Sequence, residues 1–266
     1  MINSIGNQVD TSAALASKPS TTSTSGRSLS FQDVLSNITT NDKVTLTAAE
    51  TNKNDFKEWK ADYFTKGIGD DRRIQVENNS ASFEQIIDKA VATGGYYDPQ
   101  KFVNNLSTEE LAVLQHIHCL ADPIKPQGLS KEGALNLLYS PDQSKDINND
   151  GLSDIGLAKM WKYPPPNAPD AVKKAWKEAT AGRDDLLLMA PFLAAEANAN
   201  MKPDGSGFYF PGEQGYRNIY SEPGFSYSQQ ITDILKSWEQ LKPSYYTEAK
   251  EFLNTYLESL NRNHAG

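Results

Sequence analysis

One short run restricts the fold of this chain more than any other: Asp146-Ile147-Asn148-Asn149-Asp150-Gly151-Leu152-Ser153-Asp154. Oxygen-bearing side chains stand at positions 1, 3, 5 and 9 of the run, and glycine stands at position 6. In a compact loop the alternate residues turn their oxygens inward, the backbone carbonyl of Leu152 takes position 7, and Gly151 permits the sharp bend. Asp146, Asp150 and Asp154 would repel one another strongly in such a loop unless a cation lay between them. The spacing therefore predicts a calcium site with Asp146, Asn148, Asp150, Leu152 (through its carbonyl) and Asp154 as ligands. The competing reading is a polar Asn/Asp/Gly turn between two helices that needs no metal. Magnesium suits the run less well, because it retains waters and takes few protein ligands.

On these residues the loop, counted as 146–157, resembles that of an EF-hand, and equally the shorter Asp-rich loops of dockerins and of some extracellular repeat proteins, the last being the type a strand-flanked loop would suggest. The resemblance implies bound Ca²⁺ and a helix–loop–helix. Two positions depart from the pattern. Position 12, a bidentate Glu in an EF-hand, is Leu157, and position 8, ordinarily aliphatic, is Ser153. Closing the ion then falls to Asp154, a water or a distant carboxylate such as Asp142. With so short a ligand set the expected dissociation constant is on the order of 10⁻⁵ to 10⁻³ M.

The rest of the chain is expected to be helical and to bury one core. The 266 residues give ample material, and the single cysteine, Cys119, excludes an internal disulfide. A net charge of −8 with no basic patch argues against nucleic acid. No apolar run approaches the ~20 residues of a membrane span. Mean hydropathy is −0.59, that of a polar, soluble chain. The N-terminus lacks a basic stretch followed by an apolar one, so no ordinary secretory signal is read there.

Residues 1–45 form a Ser/Thr-rich tail, expected to be disordered, with Phe31, Val34, Leu35 and Ile38 at helical spacing. This start resembles the uncleaved N-termini of bacterial type III and flagellar export substrates, which implies either a cytoplasmic protein or one exported without cleavage. Residues 46–266 read as a single all-α domain. A helix over 47–66 carries Phe56, Trp59, Tyr63 and Phe64 on one face. Capping boxes at Ser82/Gln85 and Ser107/Glu110, and Asp98-Pro99, open further helices. A helix over 130–139, the acidic loop and a helix over 152–161 complete the EF-hand-like unit. A Pro-rich connector at 163–169 leads to helices over 171–181 and 184–199. An αα-hairpin turning at Lys242-Pro243 closes the chain.

Between Pro203 and Tyr227 five glycines alternate with seven aromatic residues and periodicity disappears. A loop of this length and composition suits recognition of a partner, another protein or a carbohydrate, or simply plugs onto the helices. His116, His118 and Cys119 lie together, and are read as a buried thiol and core imidazoles rather than as a zinc site. No nucleophile elbow, phosphate loop or dinucleotide fingerprint is present. The functional expectation is a calcium-binding interaction module with the ion as a structural clamp. The alternative is a secreted bacterial effector or hydrolase stabilised by calcium, for which no catalytic residue stands out.

Overall fold

The computed structural model describes residues 42–183, 188–241 and 246–265. Over these the protein is mostly helical, with nine α-helices and one two-stranded sheet. The helices are α1 (Asp42–Tyr63), α2 (Asp70–Thr93), α3 (Pro99–Asn104), α4 (Thr108–Ile117) and α5 (Lys131–Asn136), then α6 (Asp170–Ala179), α7 (Ala190–Ala199), α8 (Tyr227–Leu241) and α9 (Tyr246–Arg262). Between α5 and α6 lie β1 (Ser153–Ile155) and β2 (Ala158–Met160). Most of the tail, and the turn at Lys242-Pro243, fall outside the described residues.

Local signals account for several boundaries. Asp98 caps α3 by accepting the N–H of Lys101 at 3.3 Å, with Pro99 at the first helical position. Ser107 and Glu110 form a reciprocal capping box on α4. The Ser82/Gln85 pair opens nothing: α2 runs through it without a break and ends at Gly94, whose φ of 75° supplies the left-handed cap. No glycine or proline interrupts residues 70–93, so helix propagation overrides the internal cap signal.

The flank after the acidic loop is not helical. The helix expected over 152–161 is a hairpin, in which β1 pairs antiparallel with β2 with Ser153 opposite Met160, Asp154 opposite Lys159 and Ile155 opposite Ala158. Two physical causes favour it. Gly156 sits at φ +62° in the two-residue turn, and its N–H donates to Gly133 O at 2.9 Å, seating the turn on α5. A Cβ at Gly133 would run into the Gly156 carbonyl, so both glycines are needed for this approach. The opposed charges of Asp154 and Lys159 then pair across the strands at 2.8 Å.

Buried apolar residues fall into two clusters. The first gathers Phe56, Phe83, Ile86, Leu114, Leu135 and Ile155 among others. The second gathers Tyr163, Trp176, Phe192, Ile231, Phe252 and Tyr256 among others, with Tyr163 stacked on Phe192 at 3.8 Å between centroids. The division falls between Ile155 and Tyr163, immediately after the acidic loop, whereas the sequence reads 46–266 as one unit. Among the described residues no helix is long and apolar enough to cross a membrane.

Candidate functional site

The acidic loop winds around the Asp146 carboxylate. Asp146 is 4% exposed; its Oδ1 accepts the N–H of Asp150 at 3.1 Å and its Oδ2 that of Gly151 at 3.0 Å. Asn149 (φ 58°) and Gly151 (φ 84°) adopt left-handed backbone, and this turns successive N–H groups toward that carboxylate. Asn148 Oδ1 accepts the N–H of Asp150 at 3.0 Å, while its Nδ2 donates to Asp150 Oδ2 at 3.1 Å. Asp150 Oδ1 accepts the N–H of Leu152 at 3.0 Å. Asp146, Asn148, Asp150 and Leu152 are therefore drawn into one short turn.

Asp154 has other partners. Its Oδ2 accepts a bond from Ser130 Oγ, and its Oδ1 lies 2.8 Å from Lys159 Nζ. The Asp154 carboxylate holds the Lys159 ammonium above its ordinary pKa, and the charges of Asp150 and Glu132 add to this. Asp142 lies apart from the turn, accepting from Ser140 Oγ at 2.5 Å and from Gln143 Nε2 at 3.2 Å. Among the described residues no group of three or more His, Cys, Asp or Glu side chains is gathered as for holding a metal ion. The ligand atoms at the turn are nonetheless all oxygen, the chemistry a hard cation takes, and the Asp146 carboxylate, with backbone bonds from Asn149, Asp150 and Gly151, retains one acceptor site of about four.

Glu132 is the residue that sequence reasoning missed. It stands in the first turn of α5, 5% exposed. Its Oε2 accepts the N–H of Ile147 at 2.7 Å and that of Asn148 at 3.4 Å, and its Oε1 accepts the N–H of Asp154 at 2.7 Å. One carboxylate thus fastens both ends of the acidic loop to α5. Burial pushes its pKa up, the three backbone bonds oppose that, and the nearby Asp146 adds to it. Burial likewise raises Asp146, with the Asp150 charge contributing. No sequence signal marks Glu132, since it lies fourteen residues before the loop and only the fold brings it there.

The acidic loop is also the joint between the two apolar clusters. Asn167 Nδ2 donates to Asp146 O at 2.6 Å, and Lys162 Nζ donates to Pro141 O and Ser144 Oγ, each at 2.8 Å. Lys162 feels the charges of Asp142 and Lys173, and these two interact in turn with Lys145, which also feels Asp55 and Asp170. Burial brings Lys162 and Lys173 down to about 8 and lifts Asp55 to about 6, with the Asp142 charge as a further cause for Asp55.

The aromatic segment 203–227 divides its rings between core and surface. Tyr220, Phe225 and Tyr227 pack on the second cluster. Phe208 and Phe210 sit 4.7 Å apart, and Phe210 is 55% exposed. Tyr216 lies against Gly151, where a Cβ would come 2.9 Å from its ring carbons. Its hydroxyl donates to Glu196, a buried carboxylate on α7 that also accepts the Trp161 indole N–H at 2.5 Å. His118 is buried, with Nε2 3.1 Å from Leu137 O, whereas Cys119, read from the sequence as buried, is exposed at φ 54°. The reason is that α4 ends at Ile117, so the thiol lies past the helix and off its inner face.

Comparison of the chain with protein-family models, with curated proteins and with solved structures finds no match.

Proposed function

We propose that this is a calcium-binding interaction module, in which one ion in the 146–154 loop clamps the joint between the two apolar clusters. The observation that carries the reading is the turn itself. Left-handed Asn149 and Gly151 wrap the backbone around Asp146, and the oxygens of Asn148 and Asp150 are held in the same turn. Asp146, Asn148, Asp150 and the Leu152 carbonyl are the ligands proposed. Asp154 joins them on release from Lys159, which makes that ammonium a competitor for the ion. When bound, calcium supplies two positive charges to a turn otherwise lined by carboxylates, and no chemical step is assigned to it. The partner proposed is another protein, met by the exposed Phe210 and the half-buried Phe208 beside it.

Thermal unfolding in EDTA and then in millimolar calcium, beside Asp150→Ala, tests this. Calcium at a hundredfold excess over Kd adds about 2.7 kcal/mol to the folded state, a rise of roughly 5–10 °C for a protein of this size. The rise should vanish in Asp150→Ala and Asp146→Ala. No rise in the wild-type protein, with no heat of binding by calorimetry, leaves the loop as a polar turn and removes the reading.

A further inference from the structure

We propose that residues 203–227 form a strap whose position is set by the acidic loop beneath it, so that the conformation of Asp146–Asp154 governs how Phe208 and Phe210 are presented. The proposal deepens the calcium reading, and it rests on that reading only where calcium is the perturbation. Two contacts tie strap to loop, and a third strap residue faces it. The Tyr216 ring lies on Gly151, so closely that no side chain fits between them. Asn218 Nδ2 donates to Asn149 O at 3.4 Å and to Asn149 Oδ1 at 3.2 Å. Gly212 faces the Asp150 carboxylate and the Leu152 side chain, both about one van der Waals contact from where its Cβ would stand.

The strap is held from its other side by α7. The Tyr216 hydroxyl ends on Glu196. Asn200 brackets Arg217, accepting its N–H at 2.7 Å and donating to its carbonyl at 3.1 Å, while Tyr209 N–H donates to Asn200 O at 2.8 Å. Tyr216 therefore stands between two fixed points, the left-handed turn at Gly151 and a buried carboxylate. A shift of the turn toward the ring displaces it and strains its bond to Glu196. The joint is also not saturated in this arrangement: Asn218 Oδ1 is buried with no hydrogen-bond partner, so a shift can gain a bond as well as lose one. Coupling of this kind needs a contiguous set of contacts and a second arrangement; the strap supplies the contacts, and the unpartnered Asn218 Oδ1 is a bond that a second arrangement would make.

Hydrogen exchange on the full chain tests the coupling from both ends. Tyr216→Phe leaves every loop residue in place; it should speed exchange of the Asp150, Gly151 and Leu152 amides at least tenfold. Gly151→Ala leaves every strap residue in place; it should speed the Tyr209 and Arg217 amides by a similar factor. Amides of α2 around Phe83 serve as the control and should not change, which separates local loosening from global unfolding. Loop and strap that respond only to their own substitution overturn the proposal. In wild-type protein, calcium that binds by calorimetry should slow the Tyr209 and Arg217 amides. Binding without slowing also overturns the proposal. Absence of binding removes the calcium reading alone, and the two variants still decide the coupling.

Discussion

Replacing Glu132 by alanine should destabilise the protein by about 2–4 kcal/mol, through two opposed effects whose balance the geometry decides. The substitution removes two bonds of 2.7 Å, from Ile147 N–H and Asp154 N–H, and one of 3.4 Å from Asn148 N–H. A hydrogen bond to a charged acceptor contributes about 1.5–3 kcal/mol, and a buried donor left without a partner costs about 1–3 kcal/mol. Asp154 is 8% exposed and the bond from its N–H is buried, so that donor would be stranded, while Ile147 is 40% exposed and its N–H would be the easier to rehydrate. Against this, the change removes a carboxylate whose pKa is raised by burial and by Asp146, which returns part of the loss. Two strong bonds and one stranded donor outweigh that return. Glu132→Gln keeps one acceptor oxygen but sets an amide N–H₂ against a backbone N–H, so a smaller loss of about 1–2 kcal/mol is expected. Urea unfolding at pH 7 without calcium, with equal m-values, measures both. If Glu132→Ala comes within 0.5 kcal/mol of wild type or gains stability, relief of repulsion prevails and the account of Glu132 as a fastening is wrong.

Three more outcomes follow from the same geometry. His118 stays neutral when folded: its Nε2 meets Leu137 O, its Nδ1 is buried without a partner, and burial holds its pKa down to about 3. The unfolded chain therefore takes up this proton first, so the stability is present above pH 6.5 and drains as pH falls toward 3. About 2 kcal/mol should go between pH 7 and pH 5, and His118→Gln should remove that slope in acid urea titrations; an unchanged slope refutes the assignment. Lys159→Met withdraws the ammonium from Asp154 and should tighten calcium binding about fivefold by calorimetry, as expected for removing one like charge at the rim of the turn. Cys119 should react with a thiol reagent in the native protein at a rate close to that after unfolding, and Cys119→Ser should change stability by less than about 0.5 kcal/mol; protection of the native thiol contradicts its exposed position.

The fold was legible wherever a boundary depends on nearest neighbours. Asp98-Pro99 and Ser107/Glu110 place their helix starts because a cap is satisfied within three residues of itself. Ser82/Gln85 carries the same letters and fails, because a cap forms only where the preceding residues leave the helix, and residues 70–81 do not. The hairpin is hidden in the sequence for a related reason. Leu152, Ile155 and Met160 fit a helical stripe about as well as a short strand, and the deciding features were the Gly156-Leu157 turn and the opposite charges of Asp154 and Lys159. For the site, the loop letters do predict the turn, since Asp146, Asn148, Asp150 and Gly151 interact within five residues. Glu132 and Glu196 were not readable, because each reaches its partners only after separate elements have packed.

That asymmetry bears on where a functional response can reside. Each apolar cluster is held by close packing, which resists small displacements and yields only by cooperative opening. The joint between them is built otherwise. Asn167 on Asp146, Lys162 on Pro141 and Ser144, and Asn218 on Asn149 are hydrogen bonds of isolated side chains across a polar seam, in which Lys145, Lys162, Lys173 and Asp55 are half-buried while Asp142 and Asp170 are exposed. In such a seam a change of one or two charges alters several bonds together, whereas the packed clusters on either side barely feel it. The acidic loop lies in this seam with Glu132 fastening it to one cluster and Tyr216 linking it to the other. A cation entering the loop would therefore act where the molecule is most responsive to charge, and the strap that carries Phe208 and Phe210 is in direct contact with it through Tyr216 and Asn218.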